Sequence, residues 1–300
     1  MHRRARLIAR TGADGRRYRH LVEAIALVGV LAGCGGSGGS SAPTIAVQPA
    51  HRYEVTGFGP TSGIQAGKPA LLSFTIAQPN GEPLTRYKHG SGPHNGVDLV
   101  IVRSDDSHVL YEDTDIHAHG HITQPVVFPA PGRYRIVIDA YPQQTGPTSP
   151  FNFQLFEWVT VGGKPDLHPV PPFSRTTVVD GYRFTLDAKP RLRAIEPAFL
   201  TFDVTGPGGK PAAFSLWRGA LAHAIFIRKG SLDYFHTHVC PPGATNCGTK
   251  LGGASVTGVT SKPGKLKVGV LVPAPGTWRL FLLTYIDGKE RVAPFTLAVR

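Results

Sequence analysis

The sequence predicts an all-β chain of two tandem antiparallel β-sandwiches, and three observations carry that expectation. The 300 residues include 36 Gly and 27 Pro, which leave few uninterrupted windows of the length a helix needs and suit short strands joined by many turns. The 41% hydrophobic content supplies enough apolar side chains for two cores. Short β-branched and aromatic runs recur between Gly, Pro and Asn turns at about the 8–12-residue spacing of a sandwich.

The chain is also a duplication. Lys68 to Pro83 aligns without gaps on Glu196 to Pro211, and Pro129 to Ile138 aligns on Pro273 to Leu282. Between these landmarks the offset grows from 128 to 144, a net 16-residue insertion in the second copy. In the first copy, strands are expected near Ala70 to Ala77, Val97 to Arg103, Val109 to Glu112, Gln124 to Phe128, Tyr134 to Ala140 and Phe151 to Val159. The second copy repeats them near Ala198 to Val204, Leu221 to Arg228, Leu232 to His238, Leu266 to Val272, Trp278 to Tyr285 and Ala293 to Val299. Each copy has the size of an immunoglobulin-like domain, the first over residues 45–162 and the second over 163–300. The Gly162-Gly163-Lys164-Pro165 run and the Pro169 to Pro172 stretch join them.

Residues 1–33 read as a signal peptide. Seven arginines lie in the first 20 residues, followed by an apolar stretch from Ala24 that ends in Leu31-Ala32-Gly33-Cys34. Those last four residues resemble the lipobox of bacterial lipoproteins. The resemblance implies that Cys34 is lipidated and that the protein is extracytoplasmic and anchored to the cell membrane. Residues 34–44 carry the Gly/Ser run Gly35 to Ser41, a flexible tether. Setting Cys34 aside leaves Cys240 and Cys247, an even pair in an exported chain, which reads as one disulfide closing a short loop. Two thiolates holding a metal are the other reading, with the wrong spacing for a zinc knuckle and no second pair.

Residues 45–162 carry 7 basic and 10 acidic groups, whereas residues 163–300 carry 18 and 8. The basic residues are scattered and not interleaved with aromatics, which disfavours nucleic acid as a partner. A basic second domain suits anionic lipid or wall polymer, and ordinary solubility as well.

Histidines carry the chemistry. In the second copy, His223 and the pair His236 and His238 flank a Lys229-Gly230-Ser231 turn. If the hairpin loop holds an even number of residues, His223 lies opposite His236 or His238 and all three share a face. A one-residue slip turns His223 away. Opposed Cβ atoms lie about 4.5–5.5 Å apart, close enough for rotamers to close three imidazoles on an ion with bonds of about 2 Å. The same face carries Ile225, Ile227, Leu232 and Tyr234, so the imidazoles are expected where core meets rim, a setting that equally suits histidines that only hydrogen-bond.

The run from His223 to Arg228, followed by Phe235-His236-Thr237-His238, resembles the Gly-His…Phe-x-His-x-His-Pro signature of a poorly characterised family of exported bacterial proteins with tandem immunoglobulin-like domains. The resemblance implies heavy-metal binding, copper included. Leu221-Ala222 stands where that family has glycine before the first histidine, and Val239-Cys240 intervenes before Pro241.

The internal alignment places Asp98 where the second copy has His223, and Tyr111 and Asp113 where it has His236 and His238. Asp98 and Asp113 are then expected to face each other, needing a cation, a shared proton or a basic neighbour such as Lys88 or Arg135. The tract His117, His119, His121 alternates, so an extended strand puts its imidazoles on one face and makes a second candidate metal site, a solvated loop being the other reading. His89 and His94, in a loop with Gly90, Gly92 and Gly96, are placed to fold over the same end.

Imidazole with carboxylate suits divalent copper, zinc or nickel. The single methionine, Met1, excludes thioether sites, and no histidine follows His238 to complete a dismutase-like or blue-copper set. No nucleophile elbow supports a hydrolase. The expectation is therefore a non-enzymatic, lipid-anchored protein binding copper or zinc as a buffer or chaperone; the alternative is a surface interaction module for a protein or wall polymer.

Overall fold

The computed structural model describes residues 52–144, 151–244, 247–248, 250–251, 254–260 and 262–300. The signal peptide, Cys34 and the tether lie outside the described residues. Among the described residues no helix is long and apolar enough to cross a membrane.

The first copy forms β1 (Glu54–Gly59), β2 (Ile64–Gln65), β3 (Pro69–Ala77), β4 (Val97–Arg103), β5 (Val109–Asp113), β6 (Asp115–Ile116), β7 (His121–Val127), β8 (Gly132–Ala140) and β9 (Phe153–Gly162). The second forms β10 (Thr176–Val179), β11 (Tyr182–Leu186), β12 (Ala198–Thr205), β13 (Ala222–Arg228), β14 (Tyr234–Cys240), β15 (Lys250–Leu251), β16 (Ala254–Ser255), β17 (Gly258–Val259), β18 (Lys265–Val270), β19 (Gly276–Ile286) and β20 (Lys289–Val299). All twelve expected strands are present, with ends shifted by up to four residues. The sequence reading missed β1, whose two glycines break the pattern, the β10-β11 hairpin and the short strands β2, β6, β15, β16 and β17.

In the first copy a four-stranded sheet, β1-β3-β7-β6, packs on a five-stranded one, β2-β9-β8-β4-β5. The second copy answers with β10-β11-β12-β18 and β17-β14-β13-β19-β20. The first pair of sheets has the strand order of an immunoglobulin-like sandwich, and in the first copy Tyr134 at the start of β8 donates its hydroxyl to Ala130 O at 2.8 Å, the tyrosine corner of that fold. Trp278 does the same in the second copy, donating Nε1–H to Ala274 O at 3.0 Å.

The repeated Pro-Ala-Pro-Gly run builds the same corner twice. Gly132 and Gly276 both take the left-handed region, with φ of 135° and 136°. A Cβ at either position would lie 3.2 Å from Nε of Arg103 or 3.1 Å from Nε of Arg228. Those two arginines, the last residues of β4 and β13, each donate to the proline carbonyl beside them, Pro131 and Pro275.

Each sandwich has its own core, with Leu72, Phe74 and Ile76 in one and Leu200, Phe202 and Val204 in the other. A third cluster joins the outward faces of the two five-stranded sheets: Val100, Val102, Val137, Ile225, Ile227, Phe281 and Leu283. Every residue of β4 is consequently buried. The inserted segment of the second copy contributes β15 to β17, with β17 adding in parallel to the edge of β14, and the Cys240–Cys247 disulfide lies beside it.

Candidate metal centre

Hairpin parity decides whether the histidines meet, and the register is even. His223 pairs with His238, Ile225 with His236 and Ile227 with Tyr234, so the loop is centred on Gly230-Ser231. Gly230 (φ 88°) and Leu232 (φ 56°) supply the left-handed backbone that the reversal needs. The face they share differs from the expected one in what it meets. Ala222, Ala224, Phe226 and Phe235 point into the second sandwich's core, while the histidines, Ile225, Ile227 and Tyr234 point at the first sandwich. The imidazoles stand between two sandwiches and not at the rim of one core.

His223, His236 and His238 are buried, at 0%, 9% and 2% exposure. One nitrogen from each lies within 4.8 Å of the others. His223 Nε2 lies 3.2 Å from Trp217 O; a carbonyl only accepts, so Nε2 carries the hydrogen and Nδ1 presents its lone pair. That Nδ1 is 3.3 Å from His236 Nε2, and two metal–nitrogen bonds of about 2.05 Å at a tetrahedral angle put their nitrogens about 3.3 Å apart. Among the described residues, His236 Nδ1 and both ring nitrogens of His238 have no hydrogen-bond partner. Leaving a buried polar atom unpaired costs about 1–3 kcal/mol, so the cluster is expensive unless something binds it.

The same burial keeps the site able to coordinate. It pushes His223 down to about 4, with the Trp217 carbonyl opposing and Arg218 assisting. Burial first, then the neighbouring imidazoles, hold His236 and His238 well below the usual histidine range. All three are neutral at pH 7 and available as nitrogen donors.

Side chains of the first sandwich close over the cluster. The Tyr111 ring lies 4.8 Å from that of His223 and 5.3 Å from that of His236, between centroids, and its hydroxyl donates to Asp98 Oδ2 at 2.9 Å. Asp98 does face Asp113, across β4 and β5, and it faces Asp139 on β8 as well. Burial, then the charges of Asp113 and Asp139, raise the Asp98 carboxyl well above the carboxylate range. The basic neighbour is neither Lys88 nor Arg135. Arg218 of the second sandwich pairs with Asp113 at 2.6 Å and Glu112 at 3.4 Å, its guanidinium over the rings of Tyr111 and Trp217. Arg135 instead donates to the carbonyls of Ser231 and Leu232 in the histidine hairpin, and Lys88 stands over the Phe151 ring.

His117, His119 and His121 are placed apart from this centre, on the other sheet of the first sandwich. The extended tract expected there is a turn: Ala118–Gly120 is a short 3-10 segment with His119 at φ 59°, and His117 N–H donates to His121 O at 2.7 Å. All three are exposed. His117 Nε2 meets Thr123 Oγ1 at 2.7 Å. Among the described residues the only set of three donors close enough for one ion is that of His223, His236 and His238. Asp98 and Asp113 belong to the shell around it and not to the set.

Trp217, Arg218 and Asp139 were not singled out from sequence. Asp139 had a signal, since it interrupts the apolar run of β8. It accepts from Asn152, Gln154, Tyr141 and, across the interface, Tyr234.

A family model described as a domain of unknown function, DUF8832, matches residues 176–300. No curated protein matches the chain significantly. Among solved structures the chain is similar to a chimeric titin Z1Z2 carrying an exogenous decorin peptide, at 10% identity over 84% of this chain and 99% of that one, with a TM-score of 0.21. It is similar to fibronectin(III)-like modules of Clostridium thermocellum CbhA at 13% identity, over 82% and 93% of the two chains, with a TM-score of 0.21. Against Salmonella alpha-2-macroglobulin reacted with methylamine the identity is 12% and the TM-score 0.23, over 83% of this chain and 15% of that one. Likenesses at these TM-scores carry no argument about function, and the immunoglobulin-like reading rests on the strand order of the chain itself.

Proposed function

We propose that the protein binds one divalent transition-metal ion, copper or zinc, through His223, His236 and His238, and acts as an exported, lipid-anchored buffer or chaperone for that ion. One observation carries the reading: three buried imidazoles bring their nitrogens within 4.8 Å of one another while His238 has no hydrogen-bond partner among the described residues on either ring nitrogen. Nitrogen donors without thiolate or thioether sulfur suit copper or zinc. The Trp217 carbonyl on His223 is the outer-shell partner that fixes a ligating tautomer.

The experiment is metal uptake by the purified full chain in detergent, followed by equilibrium dialysis with elemental analysis. The expected result is about one tightly held Cu(II) or Zn(II) per chain, abolished in the His236→Ala, His238→Ala double variant. Uptake unchanged in that variant sinks the reading and favours a non-catalytic interaction module whose histidines only pack.

A further inference from the structure

The three histidines all come from the second sandwich, yet a tetrahedral ion takes four ligands. We propose that His94, from the first sandwich, is the fourth ligand, so that one ion is gripped by both sandwiches at once. This rests on the metal-binding reading above.

His94 lies in the loop between β3 and β4 and is 5% exposed. Its ring packs edge-on against His238 with centroids 4.9 Å apart. Two imidazoles bound to one ion, with metal–nitrogen bonds of about 2.05 Å at a tetrahedral angle, place their ring centroids about 5 Å apart. The three pairs within the second sandwich measure 5.4, 5.0 and 4.4 Å, so the His94–His238 spacing belongs to the same series. His94 also lines, with His236 and His238, a cavity of about 270 Å³ between the sandwiches. Its nitrogens fall outside the 4.8 Å set, so coordination takes a turn of the imidazole about its side-chain torsions toward the cluster.

The loop is built for that placement. Gly90, Gly92 and Gly96 all have positive φ, and Asn95 Nδ2 ties the loop by donating to Gly90 O and Gly92 O at 2.9 and 2.6 Å. Gly219, two residues after Trp217, receives it: a Cβ there would lie 2.2 Å from the Gly92 carbonyl carbon. Backbone of the two sandwiches therefore touches where the loop delivers His94. Burial first, then Lys88, lowers the His94 imidazole to about 4, so it arrives neutral.

The test compares wild type, His94→Ala and His94→Phe as full chains in detergent. Zn(II) affinity is measured by competition with a chromophoric chelator, and the number of bound imidazoles by the nitrogen hyperfine pattern of the Cu(II)-loaded protein. Removing one ligand of four is expected to weaken binding roughly 10²–10³-fold and to lose one nitrogen from the spectrum in both variants. The His94 ring packs on those of Tyr141 and Phe151, each with centroids 5.4 Å away; the phenylalanine variant keeps that packing, so it decides the matter should the alanine variant not fold. Wild-type affinity and nitrogen count in His94→Phe overturn this inference and leave the three-histidine site standing. Absence of uptake by the wild type overturns the underlying reading itself.

Discussion

Replacing Asp98 by asparagine tests whether the carboxylates beside the histidines hold an ion of their own. Asp98 is 4% exposed, receives the Tyr111 hydroxyl at 2.9 Å and stands between Asp113 and Asp139. Burial and those two charges raise its carboxyl well above the usual range, so it keeps its proton. A protonated carboxyl offers one acceptor and one donor, and asparagine offers the same pair. At about pH 3, where the carboxyl is protonated in the folded and unfolded chain alike, Asp98→Asn is therefore expected to change stability by less than about 1 kcal/mol, one hydrogen bond being worth about that much. At the same pH, Asp98→Ala leaves the buried Tyr111 hydroxyl without its acceptor and is expected to cost about 1–3 kcal/mol. The pH dependence has a definite sign. The folded carboxyl holds a proton that the unfolded chain releases near pH 4, so wild-type stability falls as pH rises through that window. Asp98→Asn lacks this loss and gains on wild type by up to about 1.4 kcal/mol per pH unit until the folded carboxyl ionises. Urea unfolding of both variants and wild type at about pH 3, 5 and 7 reads all of this. A cost of about 3–5 kcal/mol for Asp98→Asn at pH 7 is what loss of a buried ionised partner produces, and it would refute the neutral-carboxyl argument in favour of a bound cation.

Three further outcomes follow from the same structure. Asp106 is buried, sits at φ 59° and has an unpartnered Oδ1, with its carboxyl raised to about 7 by burial; Asp106→Asn keeps the left-handed preference and is expected to stabilise at pH 8 by about 1–2 kcal/mol, discounted for solvent screening, with the gain vanishing below about pH 4. Arg103→Ala removes a guanidinium whose side chain is 1% exposed and is expected to cost about 3–5 kcal/mol in urea unfolding, whereas its counterpart Arg228→Ala, 32% exposed, costs about 1 kcal/mol or less; equal costs would show that the repeated corner does not depend on burial. Gly219→Ala drives a Cβ into the Gly92 backbone at φ 77° and is expected to cost more than about 1–3 kcal/mol; an unchanged thermal midpoint would contradict the close approach of the two sandwiches.

Much of the fold was legible because a strand buried on one side announces itself by alternation and because the two copies corroborate each other. Leu72, Phe74 and Ile76 align on Leu200, Phe202 and Val204, and each triplet fills a core. The histidine triangle was legible only conditionally, since sequence gives which residues alternate but not whether a loop is even. Gly230 and Leu232 settled that by taking positive φ. The histidine tract at 117–121 misled for a related reason. Its alternation is real, but Gly120 sits at φ 74° where a Cβ would lie 2.4 Å from Leu84 O, so the chain turns there. A glycine inside an otherwise alternating tract was the available warning.

What sequence reading did not reach is the partner of each outward face, and the candidate metal site sits there. Val97 to Val102 and Ala222 to Ile227 are apolar almost throughout, which is the pattern of strands covered on both sides. Half of each run serves its own sandwich and the other half meets the other sandwich. Within that second half the polar residues are the informative ones. Asp98 and His223 occupy equivalent positions in the two copies, and both are buried at the junction. A single ancestral face, duplicated and folded back on its copy, thus brings unlike side chains from equivalent strands together: the Asp98 carboxyl with the Tyr111 hydroxyl from one copy, neutral imidazoles from the other. Neither sandwich alone encloses the histidines, because Tyr111 and His94 are the walls that exclude water from them. If the cluster binds an ion as proposed, metal affinity and docking of the two sandwiches are one equilibrium, and a substitution that loosens either loosens both.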